Sequence, residues 1–307
     1  MAAVGISRAQ ADASVGGGQR SGGPGRGRPD GATPRPGGSR RWSAGTIALV
    51  AAMCAVSAVL LYPFWFMINT SFKTQQQFDG APGHSVASWS KLVDAIPVGR
   101  ELLNSVLVCV LAIIVILAVS SLAGFAFAKL KYRFATLVFL GLVSAMLIPI
   151  QSIMIPAYVN LAKLHLVTGY TAAVFMYAAL GTPFATFLMT TYFRSLPDEL
   201  VEAAVVDGCG YLKTFTRIAL PLAGPALVTV TVLQFIQIWD DLLVGLLFLQ
   251  DPVQRPITVG LAVLASGRTT DVPVLMAGSI VSALPAIVVY LIFQRRLVSG
   301  LTAGVTK

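Results

Sequence analysis

Six long apolar runs, at residues 44–68, 103–128, 135–158, 170–193, 222–249 and 272–293, decide what this chain can fold into. Each is close to the ~20 apolar residues that cross the hydrocarbon core of a bilayer. A helix on a soluble protein shows one polar face, whereas these runs are apolar nearly all round. Composition agrees: the 307 residues are 56% hydrophobic and 11% charged, with mean hydropathy +0.77. A soluble domain carries about a quarter charged residues. Lipid is therefore the main solvent. It offers no hydrogen bonds, so each run must be helical to satisfy its own backbone. The expected architecture is an all-α integral membrane protein with six transmembrane helices over 44–307.

Residues 1–43 are rich in Gly, Arg, Pro and Ser and lack the apolar content that would offset ordering entropy. They are expected to be a disordered tail. The run that follows is too long for a signal-peptide core and no small-x-small cleavage site follows it within reach, so the tail is not expected to be a signal peptide. Seven arginines sit in it, but no aromatic residue precedes Trp42, which argues against a nucleic-acid partner. The charges instead set topology. With the N-terminus inside, the inner segments hold those seven arginines with Lys129, Lys131, Arg133, Arg194, Lys213, Arg217, Arg295, Arg296 and Lys307, 16 in all. The outer segments hold Lys73, Lys91, Arg100, Lys163, Arg255 and Arg268, only 6. The positive-inside bias puts both termini in the cytoplasm.

Chemistry-bearing motifs are scarce. Cys54, Cys109 and Cys209 have no metal-ligand spacing, and His84 and His165 fall in different connecting segments. The sequence contains no GxxxxGK[ST], GxSxG or HExxH. No metal site, bound cofactor or catalytic residue is expected. Pro63, Pro149, Pro156, Pro183 and Pro285 interrupt the runs. Membrane helices tolerate proline because neighbours satisfy the freed carbonyls, and prolines also supply kinks for a gate.

A polar island at 194–221 separates the fourth and fifth runs. Ser195 can cap a helix there, with Pro197 and Asp198 suited to its first turn. That helix runs to about Asp207, and Gly208 ends it in the left-handed conformation. A second short helix follows from Tyr211 to Ile218, and Pro221 breaks the chain. Ala203 and Ala204 present almost no side chain, so another protein can approach closely, and Glu202 and Asp207 can meet its basic groups. In the fifth run, Gln234, Gln237 and Asp241 fall at i, i+3 and i+7 and so share one helix face, with Trp239 and Asp240 beside it. An acid within a bilayer usually faces a cavity or a partner. Two readings stand: the stripe lines a solute path, or Asp240 and Asp241 sit hydrated near the interface with a structural role.

The spacing Glu202-Ala203-Ala204, three residues, Gly208, nine residues, Ile218-x-Leu220-Pro221 resembles the coupling loop of the permease subunits of bacterial ABC importers. Asn104-Ser105 and the segment 293–304 are similar to the maltose-type carbohydrate importers, and the likeness covers roughly 62–307. This resemblance implies a permease in the cytoplasmic membrane of a bacterium. Its partners would be a second related permease, an ATPase dimer, an extracytoplasmic solute-binding protein and membrane lipid. ATP would be used by the ATPase, and Glu202, Ala203, Ala204, Asp207, Gly208, Ile218, Leu220 and Pro221 would form the loop that it grips. Relatives commonly carry Trp-Asn where this chain has Trp239-Asp240, which leaves room for a cationic or amino-sugar solute. The alternative is an ion- or proton-coupled secondary transporter titrating at Asp240 and Asp241. The absence of a repeat between the two halves argues mildly against it. A membrane enzyme or scaffold would need a catalytic pair in the spans.

Overall fold

A computed structural model describes residues 44–167, 169–267 and 271–302. The expected disordered tail, and Ala303 and Gly304 of the C-terminal segment, lie outside the described residues. The chain divides into two units, Met1–Ala55 and Val56–Lys307. The described part of the first is helical and opens α1 (Ala44–Ser71); the second holds the rest of that helix and every later element.

Two short helices, α2 (Gln75–Phe78) and α3 (Ala87–Ala95), lead into the long α4 (Val98–Lys129). Next comes α5 (Ala135–Ser144), followed by a 3-10 turn at Ala145–Leu147 and α6 (Ile150–Lys163). The fourth apolar run is α7 (Tyr170–Ser195). The polar island forms α8 (Asp198–Val206), α9 (Tyr211–Thr214), a π-helical turn at Phe215–Ala219 and α10 (Leu220–Leu222). The remainder is α11 (Gly224–Trp239), α12 (Leu243–Phe248), α13 (Ile257–Ala265) and α14 (Val272–Thr302), with no strand among the described residues.

The six expected spans appear as four continuous helices, α1, α4, α7 and α14, and two bent pairs. The third run is not one straight helix: α5 and its 3-10 turn meet α6 at 103°. Pro149 is the cause, because the residue before a proline is driven out of the helical region, and Ile148 is extended at φ −83°, ψ 119°. Pro63, Pro156, Pro183 and Pro285 instead lie inside uninterrupted helices. The fifth run is shorter than expected. Its helix α11 starts at Gly224, after a 74° bend from the preceding segment Tyr211–Leu222, and ends at Trp239.

The core is built on α4 and α7, which pack along their lengths. Over half (56%) of the apolar window of α7 is buried, against 11% for α14. Helices in lipid associate through small residues that let backbones approach, and the buried residues of these two helices include Ala112, Ser120, Gly124, Ala172, Ala173, Ala185 and Thr186. A Cβ on Gly124 would lie 2.7 Å from the Met189 Cβ and 3.0 Å from backbone of α7. Ser121 and Thr190 bond back along their own helices, to the Leu117 and Thr186 carbonyls, whereas the buried hydroxyls of Ser120 and Thr186 find no partner among the described residues. From Val56 to Trp65, in contrast, α1 exposes its apolar side chains.

A polar knot ties the first turns of α4. Asn104 Nδ2 donates to the carbonyls of Val253 and Arg255, both at 2.9 Å, and its Oδ1 accepts from the Tyr170 hydroxyl at 2.8 Å. Ser105 Oγ accepts the Ile257 N–H at 3.0 Å. The Asn-Ser pair thus joins α4 to the start of α7 and to the segment leading into α13.

Gly124→Val should force α4 and α7 apart at an overpacking cost of about 1–3 kcal/mol. The expected outcome is a lower thermal unfolding midpoint for the transporter in lipid nanodiscs; an unchanged midpoint contradicts the close approach.

Candidate functional site

The polar island is a built loop. Its opening differs from expectation: Ser195 is the last residue of α7 and donates to the Tyr192 carbonyl at 2.7 Å, while Pro197 takes the N-cap position of α8. Asp198 and Glu199 occupy the first turn, where the free amides favour negative charge. The C-terminus closes as a Schellman motif, with the Gly208 N–H on the Val205 carbonyl and the Cys209 N–H on Ala204. Gly208 has φ +77°, and a Cβ there would meet nothing within 4 Å. Conformation, not space, calls for glycine at this position.

The two alanines part company. Glu202 and Ala203 are exposed, whereas Ala204 is 4% exposed and faces the protein's own interior. The expectation that both alanines open the surface to a partner is corrected: the small side chain of Ala204 serves packing within the chain. Asp207 and Gly208 are exposed with Glu202, beside the apolar side chains of Leu200, Val206, Tyr211 and Leu212. This exposed rim combines apolar side chains with acidic points.

Two anchors hold the loop to the core. Phe215 is buried with Phe125 of α4 and Phe193 of α7, at ring-centroid distances of 5.4 and 6.4 Å. On the other side, Lys129 at the end of α4 donates to the Leu196 carbonyl at 2.6 Å and to Asp198 Oδ1 at 2.5 Å. Pro221 does not break the chain where expected. Having no N–H and crowding the carbonyl four residues back, it is absorbed by the π turn, in which the Leu220 N–H reaches the Phe215 carbonyl. Ile218 and Leu220 are half-buried and Pro221 exposed. The bend comes at Ala223, just before Gly224 and Pro225.

The stripe on the fifth run is not one face. Three residues along a helix leave two side chains about 60° apart; Gln234 is buried next to Gly181 of α7 and Gln237 is exposed. Asp241 lies beyond the end of α11. Its carboxylate accepts the Tyr177 hydroxyl at 3.0 Å and the Val244 N–H at 2.8 Å, so it closes the first turn of α12. Trp239 is buried, stacks on Phe235 at 5.2 Å and donates its indole N–H to the Ser282 carbonyl of α14. Of the five residues, Gln237 and Asp240 are the exposed ones.

Residues 120–302, which include the whole loop, match the family of binding-protein-dependent transport system inner membrane components. The chain belongs to this family. A putative ABC transporter permease of Caldicellulosiruptor is 32% identical over 80% of this chain and 91% of its own length. The trehalose/maltose transport system permease of Thermococcus litoralis is also 32% identical, over 85% and 96%. The melibiose/raffinose/stachyose import permease of Bacillus subtilis is 29% identical over 85% and 96%. The fold is shared with a chain of a bacterial ABC transporter that imports the acidic polysaccharide alginate, with TM-score 0.73, 20% identity, and 85% of this chain and 99% of that one covered. The protein is thus a multi-pass membrane permease of an ABC importer, and ATP is hydrolysed by a separate subunit. It works with permease, ATPase and binding-protein subunits. The ion-coupled alternative, with Asp240 and Asp241 as its titrating groups, finds no support in this family; Asp241 is held by the Tyr177 hydroxyl and the Val244 N–H, and Asp240 is exposed.

Sequence reasoning missed Lys129 as a site residue, counting it only as a topological charge. Its position at the end of an apolar run was visible, but its acceptors lie 67 and 69 residues further on. In the permease, the hydrogen bond and charge of Lys129, with a smaller contribution from Lys131, hold the Asp198 carboxyl below the ordinary carboxylate range. A lowered carboxyl pKa means that the pair's contribution is complete above the ordinary value and is lost as pH falls through the folded one. Infrared titration of isotope-labelled aspartate should therefore find Asp198 ionised throughout the neutral range, with its midpoint below that of free aspartate. A midpoint at or above the free value contradicts the pairing.

Proposed function

We propose that this permease imports a carbohydrate and that the loop at 194–221 is the part gripped by the ATPase. The exposed rim around Glu202 and Ala203, rigidly anchored to α4 and α7 by Phe215 and Lys129, is the observation that carries this reading. A docking surface transmits force only if its back is fixed to the elements that must move. The solutes named for the relatives, trehalose and maltose among them, support the solute class. Carbohydrate hydroxyls need acceptors and donors; Gln237 and Asp240, exposed at the end of α11, supply them.

In this reading both termini and the loop face the cytoplasm, as the distribution of Lys and Arg favours. A second related permease completes the pathway, two copies of the ATPase hold the two loops, and an extracytoplasmic binding protein delivers the solute. The permease itself holds no cofactor. Closure of the ATPase pair on ATP shifts the permeases between inward-open and outward-open states, because the nucleotide-bound ATPase favours one of them. The work of the chain is mechanical.

Gly208→Val would force a β-branched residue into a left-handed conformation, at a cost of roughly 1–2 kcal/mol, and distort the end of α8. With Glu202→Lys, which reverses a rim charge, it should cut stimulation of ATPase activity by the loaded binding protein about tenfold, within the usual span of coupling energies. The assay uses the reconstituted transporter; full stimulation in both variants contradicts the coupling role. The solute class is tested by calorimetry of the binding protein encoded with this permease. Binding of a di- or oligosaccharide is expected, and binding of an amino acid or ion alone contradicts it.

A further inference from the structure

Lys129 sits where three helices meet. It is the last residue of α4; Leu196, whose carbonyl it binds at 2.6 Å, is the C-cap that follows α7; Asp198, bound at 2.5 Å, begins α8. The pair is lopsided, with the lysine side chain 2% exposed and that of the aspartate 78%. An exposed ion pair on a surface contributes little. A buried ammonium differs: it stays buried only while its acceptors stay in place, because an unpaired charge there is costly. The geometry therefore resists any motion that draws the start of α8 away from the end of α4.

Besides this contact, α8 and the segment leading into it meet the core through the apolar packing of Leu196, Val201 and Ala204, and Lys129 supplies, among the described residues, the one ion pair from α8 to the end of α4. The Phe215 anchor lies beyond α8, and the chain bends by 74° soon after it. We propose that Lys129 is the positioning residue that makes α8 move as one body with both α4 and α7, so that a displacement imposed on the loop reaches α4 directly. This rests on the coupling reading above and adds the route by which the motion leaves the loop. Since α4 and α7 are packed backbone to backbone at Gly124, a push delivered to both at their common end moves them together and does not shear them. The bend at Ala223 is then the joint about which α11 remains free to respond separately.

The test uses the whole transporter in nanodiscs and needs no identified solute. Amide hydrogen exchange is compared with and without vanadate-trapped nucleotide on the ATPase subunits. In the native protein, trapping is expected to change exchange in α8 and also in the last turn of α4, residues 126–130. In Lys129→Met the response in α8 should remain, while that at 126–130 falls roughly threefold or more, the scale expected for removing one residue from a coupling route. Lys129→Arg, which keeps both donor and charge, should restore it. Loss of thermal stability alone would not produce this split.

An unchanged response at 126–130 in Lys129→Met overturns the latch. If that variant does not assemble, Asp198→Asn decides: its side chain is exposed and the Leu196 carbonyl still holds the lysine, so the complex should form with a response at 126–130 lowered by about half. A full response there overturns the proposal. Absence of any response in α8 of the native protein overturns the coupling reading itself.

Discussion

The close approach of α4 and α7 is what the rest of the structure depends on. Lipid gives no hydrophobic reward for bringing two apolar helices together, so their association rests on close contact between small residues. Gly124 against Met189 and Thr190, and Gly181 against Ile116, supply that contact. Everything functional hangs from its two ends. At one end, Asn104 and Ser105 gather the start of α7 and the approach to α13. At the other, Lys129 and the Phe125–Phe193–Phe215 cluster hold the loop.

This arrangement explains why a surface loop is so regular. Gly208 and the Schellman closure stop α8 after nine residues, and the π turn absorbs Pro221 without breaking the path to α10. The side facing the core is shaped by Ala204, Thr214 and Phe215, all buried, and the other side is left exposed. One set of residues seats the loop and a different set is free to meet a partner.

Much of this was legible in the sequence. Six apolar runs declare six membrane segments because the bilayer imposes length and helicity at once. The loop was legible because its turn chemistry is local: Gly208 ends a helix wherever it lies. The bends were not, since a hydropathy run looks the same straight or broken, and the prolines alone do not separate Pro149, at a break, from Pro183 in an unbroken helix. Helical spacing suggested one polar stripe from Gln234 to Asp241. The stripe failed because the helix stops at Trp239 and Asp241 is drawn to the amides of α12 and the hydroxyl of Tyr177. Lys129 and Ala204 illustrate the same limit, since their roles are defined by partners distant in sequence or by which side of a short helix packs inward.

The central claim is that the Ala203 face is a handle held by an ATPase inside the cell. Replacing the exposed Ala203 by cysteine and crosslinking the assembled transporter in its native membrane tests it most directly. The account predicts a crosslink to the ATPase subunit and protection of the cysteine from impermeant maleimide added outside the cell. Labelling from outside, or a crosslink that never includes the ATPase, would contradict it.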